Sequence, residues 1–507
     1  MLAKHEAHGA RRRAPLSIVV PAVLAGLIAL APLAFLAQVM FERGFGYVWE
    51  ELFRSRTLEL LVNSLSLTVA VTLGCVLIAV PAAWLVTRTN LWGRSVWRVV
   101  LALPLSVPSY LAAFAWVSWR PGIAGFWGAA LVLIAVSYPY VYLPVAAAMT
   151  RLDPAIEELA EIHGRGGSIR QMVIAARQVR GPILSGMLLV ALYALSDFGA
   201  VAAMRFDAFT WVIFGAYRAG FNPSRAAVLA SVLIVVALVL VILESASRGA
   251  QVRTVSARSV GHTHNVKINQ PVMQMILGTT VAIALAFPVW RVTTWVWGNF
   301  DRDSITPMLE SVWASVRYSL FAALITVLLA LPVAVLASRY KSRGAKILEG
   351  ATFVTHALPG IVIGISMVFV GVKALRPIYL EAPLLILAYV VLFLPLAVAS
   401  LRAALDQIPT SLDDVARSLG ASPISVLRRV SVPLVLPSVG AAVALITLAA
   451  MKELPVTMLL HPTGVDTIAT RLWTHTSVSD YASAGPYALA MLLFVAVPTA
   501  IASRSGR

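Results

Sequence analysis

The chain has 507 residues, 59% of them hydrophobic and only 12% charged, with a mean hydropathy of +0.85. That balance excludes an ordinary soluble domain, which needs far more charged surface to stay in solution. The net charge of +17 would point to nucleic acid in a soluble protein. Here the basic residues fall between apolar runs, where they set membrane orientation, so a lipid bilayer is the expected partner and nucleic acid is not.

Apolar runs of about 20 residues recur along the chain, each long enough to cross a bilayer core as a helix. Lipid offers the backbone no hydrogen-bond partners, so such runs are helices rather than open strands. The first, Leu16 to Phe41, follows Arg11, Arg12 and Arg13. It is too long for a signal peptide and has no clear small-residue cleavage site, so it reads as a retained first span. Further spans are expected near 60–86, 97–118, 126–149, 183–204 and 226–243, then 271–290, 313–338, 348–372, 383–401, 438–460 and 484–503. The fold class is therefore all-α and polytopic, with about twelve transmembrane helices. The single cysteine, Cys75, lies inside an apolar run and reads as a small core residue.

With the N-terminus inside, the segments assigned to the cytoplasm hold 26 of the 40 Lys and Arg residues. This bias puts both termini in the cytoplasm. The expected organisation is residues 1–44 as the N-terminus and first span, 45–243 as a first module, 244–270 as a linker, and 271–507 as a second module. The linker is rich in Ser, Arg, His, Thr and Asn without periodicity. His262 and His264 within it are spaced for a metal, but histidines in a polar linker are more often solvated, and no metal site is assigned.

The halves align by a nearly constant shift. Pro81 and Arg88 recur 251 positions later as Pro332 and Arg339, Pro104 pairs with Pro359 at 255, and Gly164 with Gly420 at 256. Equivalent spans are six apart and share an orientation, which makes a parallel repeat about an axis along the membrane normal.

Two cytoplasmic segments stand out, 150–182 and 402–437. Each has a Pro near its start with Ser, Asp or Glu close behind, a helix-start signal. Each then runs helically to a Gly able to end the helix in the left-handed conformation. A second, basic helix and a Pro-marked entry into the next span follow. Two short helices joined by a glycine turn would offer a rigid knob to another protein.

These two segments resemble the EAA loops of ABC-importer permeases. The family pattern is E-A-A-x-x-x-G, then nine residues, then I-x-L-P. In the second loop Asp414, Val415 and Ala416 stand for E-A-A, Gly420 for the glycine, and Val430, Val432 and Pro433 for the close. In the first loop Glu158, Leu159, Ala160 and Gly164 fill those places, but Arg177 stands where the closing Pro is expected, with Pro182 nearby. The resemblance spans about residues 50 to 503 and implies a type I ABC importer-like arrangement in the bacterial inner membrane. It further implies ATPase coupling through Glu158, Ala160, Gly164, Asp414, Ala416, Gly420 and Pro433. The implied partners are two copies of a cytoplasmic ABC ATPase and a periplasmic substrate-binding protein. Within the family, residues 101–116 and 451–473 look most like permeases for ferric iron, with thiamine and other small-solute permeases as the alternative.

Asp197 and Glu453 occupy equivalent places in spans five and eleven, past the midplane from the cytoplasmic side at ~1.5 Å per residue. Ionisable groups in a span are functional candidates by default. Two readings stay open. The acids, with Lys452, line the path and favour a cation; or Lys452 neutralises Glu453 while Asp197 stabilises a kink beside Gly199.

No G-x-x-x-x-G-K-[ST] accompanies any of the six lysines, and no Ser/His/Asp or paired-cysteine arrangement is evident. The expectation is a transport subunit without enzymatic activity or bound cofactor, with ATP used by a partner. The competing class is a twelve-span ion-coupled secondary transporter with Asp197 or Glu453 as proton carrier, which leaves the paired loops without a role.

Overall fold

The computed structural model describes residues 14–152, 168–248, 268–297, 305–340, 342–355, 358–420, 422–426, 429 and 432–505. Among these residues the regular structure is helical, with no β-strand. Eight helices are long and apolar enough to cross a bilayer: Leu16–Phe41, Ser55–Arg88, Phe126–Met149, Pro223–Leu243, Gln270–Val296, Ile305–Tyr340, Ala382–Asp406 and Val432–Met451. Counting each of two bent pairs as one span raises this to ten, and the apolar helices Gly360–Lys373 and Tyr481–Phe494 are shorter. All twelve expected apolar segments thus fall on helix, but not all are continuous.

The expected span 97–118 is the clearest correction. Helix Arg94–Val100 and a 3₁₀ turn, Leu103–Ser106, lead to helix Ser109–Trp119 with a bend of 87° between the two arms. Pro108 causes the break, because it donates no N–H and forces Val107 into extended backbone, ψ 119°. The expected span 348–372 breaks in the same way, into Arg343–Val354 and Gly360–Lys373. Pro108 and Pro359 cap the two restarted helices with nearly equal backbone angles, ψ 140° and 144°. Structurally, then, Pro359 pairs with Pro108 at the 251 shift, and the pairing with Pro104 is out of register.

The described chain forms two compact units. One holds residues 311–467 with the N-terminal segment through Val39; the other holds 40–310 with 468–507. In the first unit, helix Leu16–Phe41 presents Ala22, Ala25 and Ala29 at a helical spacing, all fully buried. They join a core with Ala323, Val327, Ala330 and Ala334 of helix Ile305–Val335, Val398 and Leu401 of Ala382–Asp406, and Ala442 and Ile446 of Val432–Met451. Small side chains let helix backbones approach closely, which is how helices associate where lipid removes the hydrophobic drive.

In the second unit, Gly74 of helix Ser55–Arg88 lets Phe126–Ser137 approach so closely that a Cβ would meet Ile134 Cδ1 at 2.4 Å. Cys75 lies buried beside it, its sulfur 3.4 Å from Ser137 Oγ, as a core residue should. The helical segment Gln270–Val296 belongs to this unit through Trp97 Nε1, which donates to Gln274 Oε1 at 2.8 Å, and through Phe287, stacked on Trp116 at 3.9 Å. The packing units therefore cut across the sequence halves at both ends of the chain.

Candidate functional site

The two expected intramembrane acids sit where helices stop and restart. Helix Arg180–Ser196 ends at Asp197, whose backbone turns extended (φ −67°, ψ 126°), and a short helix resumes at Gly199–Ala203. A restarted helix exposes N–H groups that lipid cannot satisfy. Asp197 Oδ1 accepts the Ala200 N–H at 2.7 Å, and Oδ2 accepts the Ser109 hydroxyl. Its carbonyl accepts Thr210 Oγ1 at 2.7 Å. The residue is 8% exposed. Gly199 is required by packing, since a Cβ there would stand 2.6 Å from Tyr110 Cβ. Phe198 and Phe114 flank Trp473, with ring centres 5.5 and 5.4 Å away, and seal the break with aromatic surface.

The second break has the same plan. Helix Val432–Met451 ends with the Lys452 and Glu453 N–H groups bonded to Ala449 and Ala450 carbonyls at 3.2 and 3.1 Å. Helix Pro455–Leu460 then restarts, and Glu453 Oε1 accepts the Val456 N–H at 3.2 Å. The Glu453 carbonyl accepts Thr457 Oγ1 at 2.6 Å, and Thr457 in turn meets the Tyr389 hydroxyl at 2.5 Å. Gly360 opens the facing helix, where a Cβ would fall 2.8 Å from Glu453 Oε1. Unlike Asp197, Glu453 is only half-buried. It borders a crevice too tight for a water molecule, lined also by Ser315, Tyr318, Ser319, Tyr389 and Thr467. Lys452 is half-buried on the same turn.

Both acids therefore cap a restarted helix through the N–H three residues on. The bonds of Asp197 hold its own break together, and Glu453 caps the second break while remaining half-buried. Sequence reasoning missed the partners Ser109, Thr210, Gly360 and Tyr389. The shift of 251 relating Ser109 to Gly360 was the available signal, since it is the shift of Pro81 and Arg88.

The second of the two expected loops, 402–437, is largely described. Helix Thr410–Ser418 ends before Gly420, which adopts φ +83°, the left-handed conformation expected of it. Leu412, Val415 and Leu419 are 43, 57 and 82% exposed. With Ala416 they follow the i, i+3, i+4, i+7 spacing of one helix face, so the loop carries an uncovered apolar stripe among the described residues. Asp414 lies in this helix, its side chain outside the described residues. Pro433, exposed, is the second residue of helix Val432–Met451. In the first loop Glu158, Ala160 and Gly164 lie outside the described residues, as do His262 and His264 of the linker. The part that follows, Ser168–Gln178, includes Arg177 in its last turn and bends by 81° into Arg180–Ser196, which has Pro182 in its first turn.

The profile of the "binding-protein-dependent transport system inner membrane component" family matches residues 327–507, which include this loop and Glu453. Over 494 residues the chain is 33% identical to an Fe(3+)-transport system permease protein, FbpB 2, of Haemophilus influenzae, covering 96% of this chain and 98% of that protein. Shorter matches include a spermidine/putrescine transport system permease of the same species, 28% identical over 30% of this chain and 57% of the relative. A putative 2-aminoethylphosphonate transport system permease of Salmonella typhimurium is 27% identical over 34% and 65%. An end-to-end relative, the family profile over residues 327–507, and paired broken helices joined to a glycine-turned loop lead to one conclusion: the chain belongs to the inner-membrane permeases of binding-protein-dependent ABC transport systems.

Proposed function

We propose that this permease forms the membrane path of a ferric iron importer and takes its energy from a separate ATPase docked on its two cytoplasmic loops. The observation that carries the docking is the stripe of exposed Leu412, Val415 and Leu419 with half-buried Ala416, ahead of the left-handed Gly420. An apolar helix face left in water is a docking element, and an amphipathic helix laid in a groove is a common recognition mode. Of the equivalent residues of the first loop, Ile156, Leu159 and Ala160 are also apolar or small and His163 is not, and each loop would receive one ATPase subunit. Closure of the two ATPases would then turn into rotation of the spans each loop joins.

Iron as substrate is supported by the end-to-end similarity to the Fe(3+) permease. Ferric iron is a hard cation that prefers oxygen donors, and the crevice at Glu453 offers a carboxylate, two phenols and hydroxyls. Asp197, Glu453 and Lys452 are assigned to the path walls, with Glu453 nearest the cargo. A periplasmic binding protein would deliver the cargo, both termini would face the cytoplasm, and the chain itself would hold no cofactor.

The test is reconstitution of the permease in proteoliposomes with its ATPase and binding protein. Uptake of radiolabelled ferric iron should require ATP and both partners. Scrambling residues 412–420 together with 156–164 should abolish ATPase binding. Uptake in vesicles without ATPase, or unchanged ATPase binding by the scrambled permease, would overturn the proposal.

A further inference from the structure

Two arginines in equivalent positions of the repeat reach carbonyls just past the helices that lead into the two loops. Arg88 is the last residue of helix Ser55–Arg88 and is 2% exposed. Its Nη1 donates to the Leu152 carbonyl at 3.4 Å. Arg339 lies in the π-helical turn Leu336–Tyr340 that ends the long helix of the other half, and its Nη1 donates to the Ile408 carbonyl at 3.1 Å. The arginines are 251 positions apart and the acceptors 256, each acceptor twelve residues ahead of its loop glycine, Gly164 or Gly420. Ser338 tightens the second junction by donating to Asp406 Oδ1 at 2.5 Å.

We propose that Arg88 and Arg339 are positioning residues that link each coupling loop to the long helix behind it, so that the ATPase stroke moves helix and loop together. The inference rests on the coupling reading above. Each acceptor carbonyl follows the end of a helix, Pro139–Met149 or Ala382–Asp406, where carbonyls lack intrahelical partners and a cation is favoured. A guanidinium is donor-only, always charged and held on a long stem, so it can bridge two helix ends where a shorter side chain could not. The helices it joins are long. At 34 residues, Ser55–Arg88 measures about 50 Å, well beyond a hydrocarbon core of about 30 Å, so a displacement at its cytoplasmic end is carried through the membrane. The alternative is that the arginines only cap helix ends, and uptake per ATP distinguishes the two.

The experiment uses the full complex in proteoliposomes and reads ATP hydrolysis and iron uptake in the same vesicles. For Arg88→Gln with Arg339→Gln, the ATPase should co-purify as with the unaltered permease and hydrolyse ATP within about twofold, while uptake per ATP falls about tenfold, the size of a typical coupling energy. Arg339→Lys keeps the charge at the helix end but loses the fork, and should give an intermediate ratio. An unchanged ratio in the double variant overturns the proposal. If the double variant is not recovered from membranes, Arg339→Lys decides alone, and an unchanged ratio there overturns it equally. Because the ratio is read only where the ATPase is bound, failure of the docking reading shows separately, as ATPase binding that survives loop scrambling.

Discussion

The breaks at Asp197 and Glu453 solve one problem with different side chains. In each, a carboxylate caps a restarted helix through the N–H three residues on, and its own carbonyl accepts a threonine hydroxyl. On the facing helix the first break has Ser109 and the second, at the equivalent place, Gly360. A short acid is matched with a serine that reaches it, and a longer acid with a glycine that makes room. The two also differ in exposure: Asp197 is buried, whereas Glu453 is only half-buried. A duplicated module can thus keep its backbone geometry while one copy of the acid is buried and the other left partly exposed.

The largest expected effect breaks the sealed copy. Asp197→Ala leaves the Ser109 hydroxyl and the Ala200 N–H unmatched in a buried site, about 1–3 kcal/mol for each orphaned group. It should lower the melting temperature in detergent more than Glu453→Ala does, and the reverse order would defeat the comparison. Next is the size exchange. Gly360→Ser alone forces a Cβ to 2.8 Å from Glu453 Oε1 and should destabilise by about 1–3 kcal/mol, the usual range for overpacking. Adding Glu453→Asp should recover at least about 1 kcal/mol of that in a double-mutant cycle read by thermal unfolding. Strictly additive effects would show that the two positions do not compensate.

A smaller effect is expected in the loops. Gly420→Ala places a Cβ in the left-handed region with nothing within 4 Å to clash, so only backbone strain of about 1 kcal/mol is added. The permease should melt normally while ATPase affinity, measured by titration, falls about fivefold; unchanged affinity would remove Gly420 from the docking geometry. The smallest effect compares the caps of the last helix in each half. Helix Pro223–Arg248 is capped by the neutral Asn222, whose Oδ1 accepts the Arg225 N–H at 3.1 Å. Helix Tyr481–Ser505 is capped by Asp480, whose Oδ1 accepts the Ser483 N–H at 3.2 Å. Hydrogen bonds from Ser483, then the neighbouring His475, hold the Asp480 carboxyl below its usual range. The ionised cap is therefore at full strength above about pH 4 and lost as pH falls through the lowered value. Asp480→Asn should flatten the acid limb of the melting profile slightly, and an unaltered limb would show that this cap does not contribute.

Much of the site was legible in the chain itself. Gly420 followed from a helix that had to stop between Ser418 and Pro423, and it takes the left-handed backbone such a stop favours. The acids were legible because charge is rare in an apolar span. Their partners were not, since Ser109 and Thr210 are common residues lying 88 positions before and 13 after Asp197, and only folding brings them to its carboxylate and carbonyl. The break near Pro108 was readable from proline chemistry, yet the apolar run over 97–118 masked it, because hydropathy does not register a lost N–H.

Composition and spacing alone determine that this chain is a helical membrane protein with a parallel repeat and a loop that turns at Gly420, because lipid allows the backbone little choice and a repeat offset survives in numbering. Tertiary structure decided which helices share a core, placing Leu16–Phe41 with the second half of the chain and Gln270–Val296 with the first. It also decided which of two equivalent acids is buried and which is left partly exposed. Both depend on close packing of small residues against particular partners, which periodicity along a single chain does not encode.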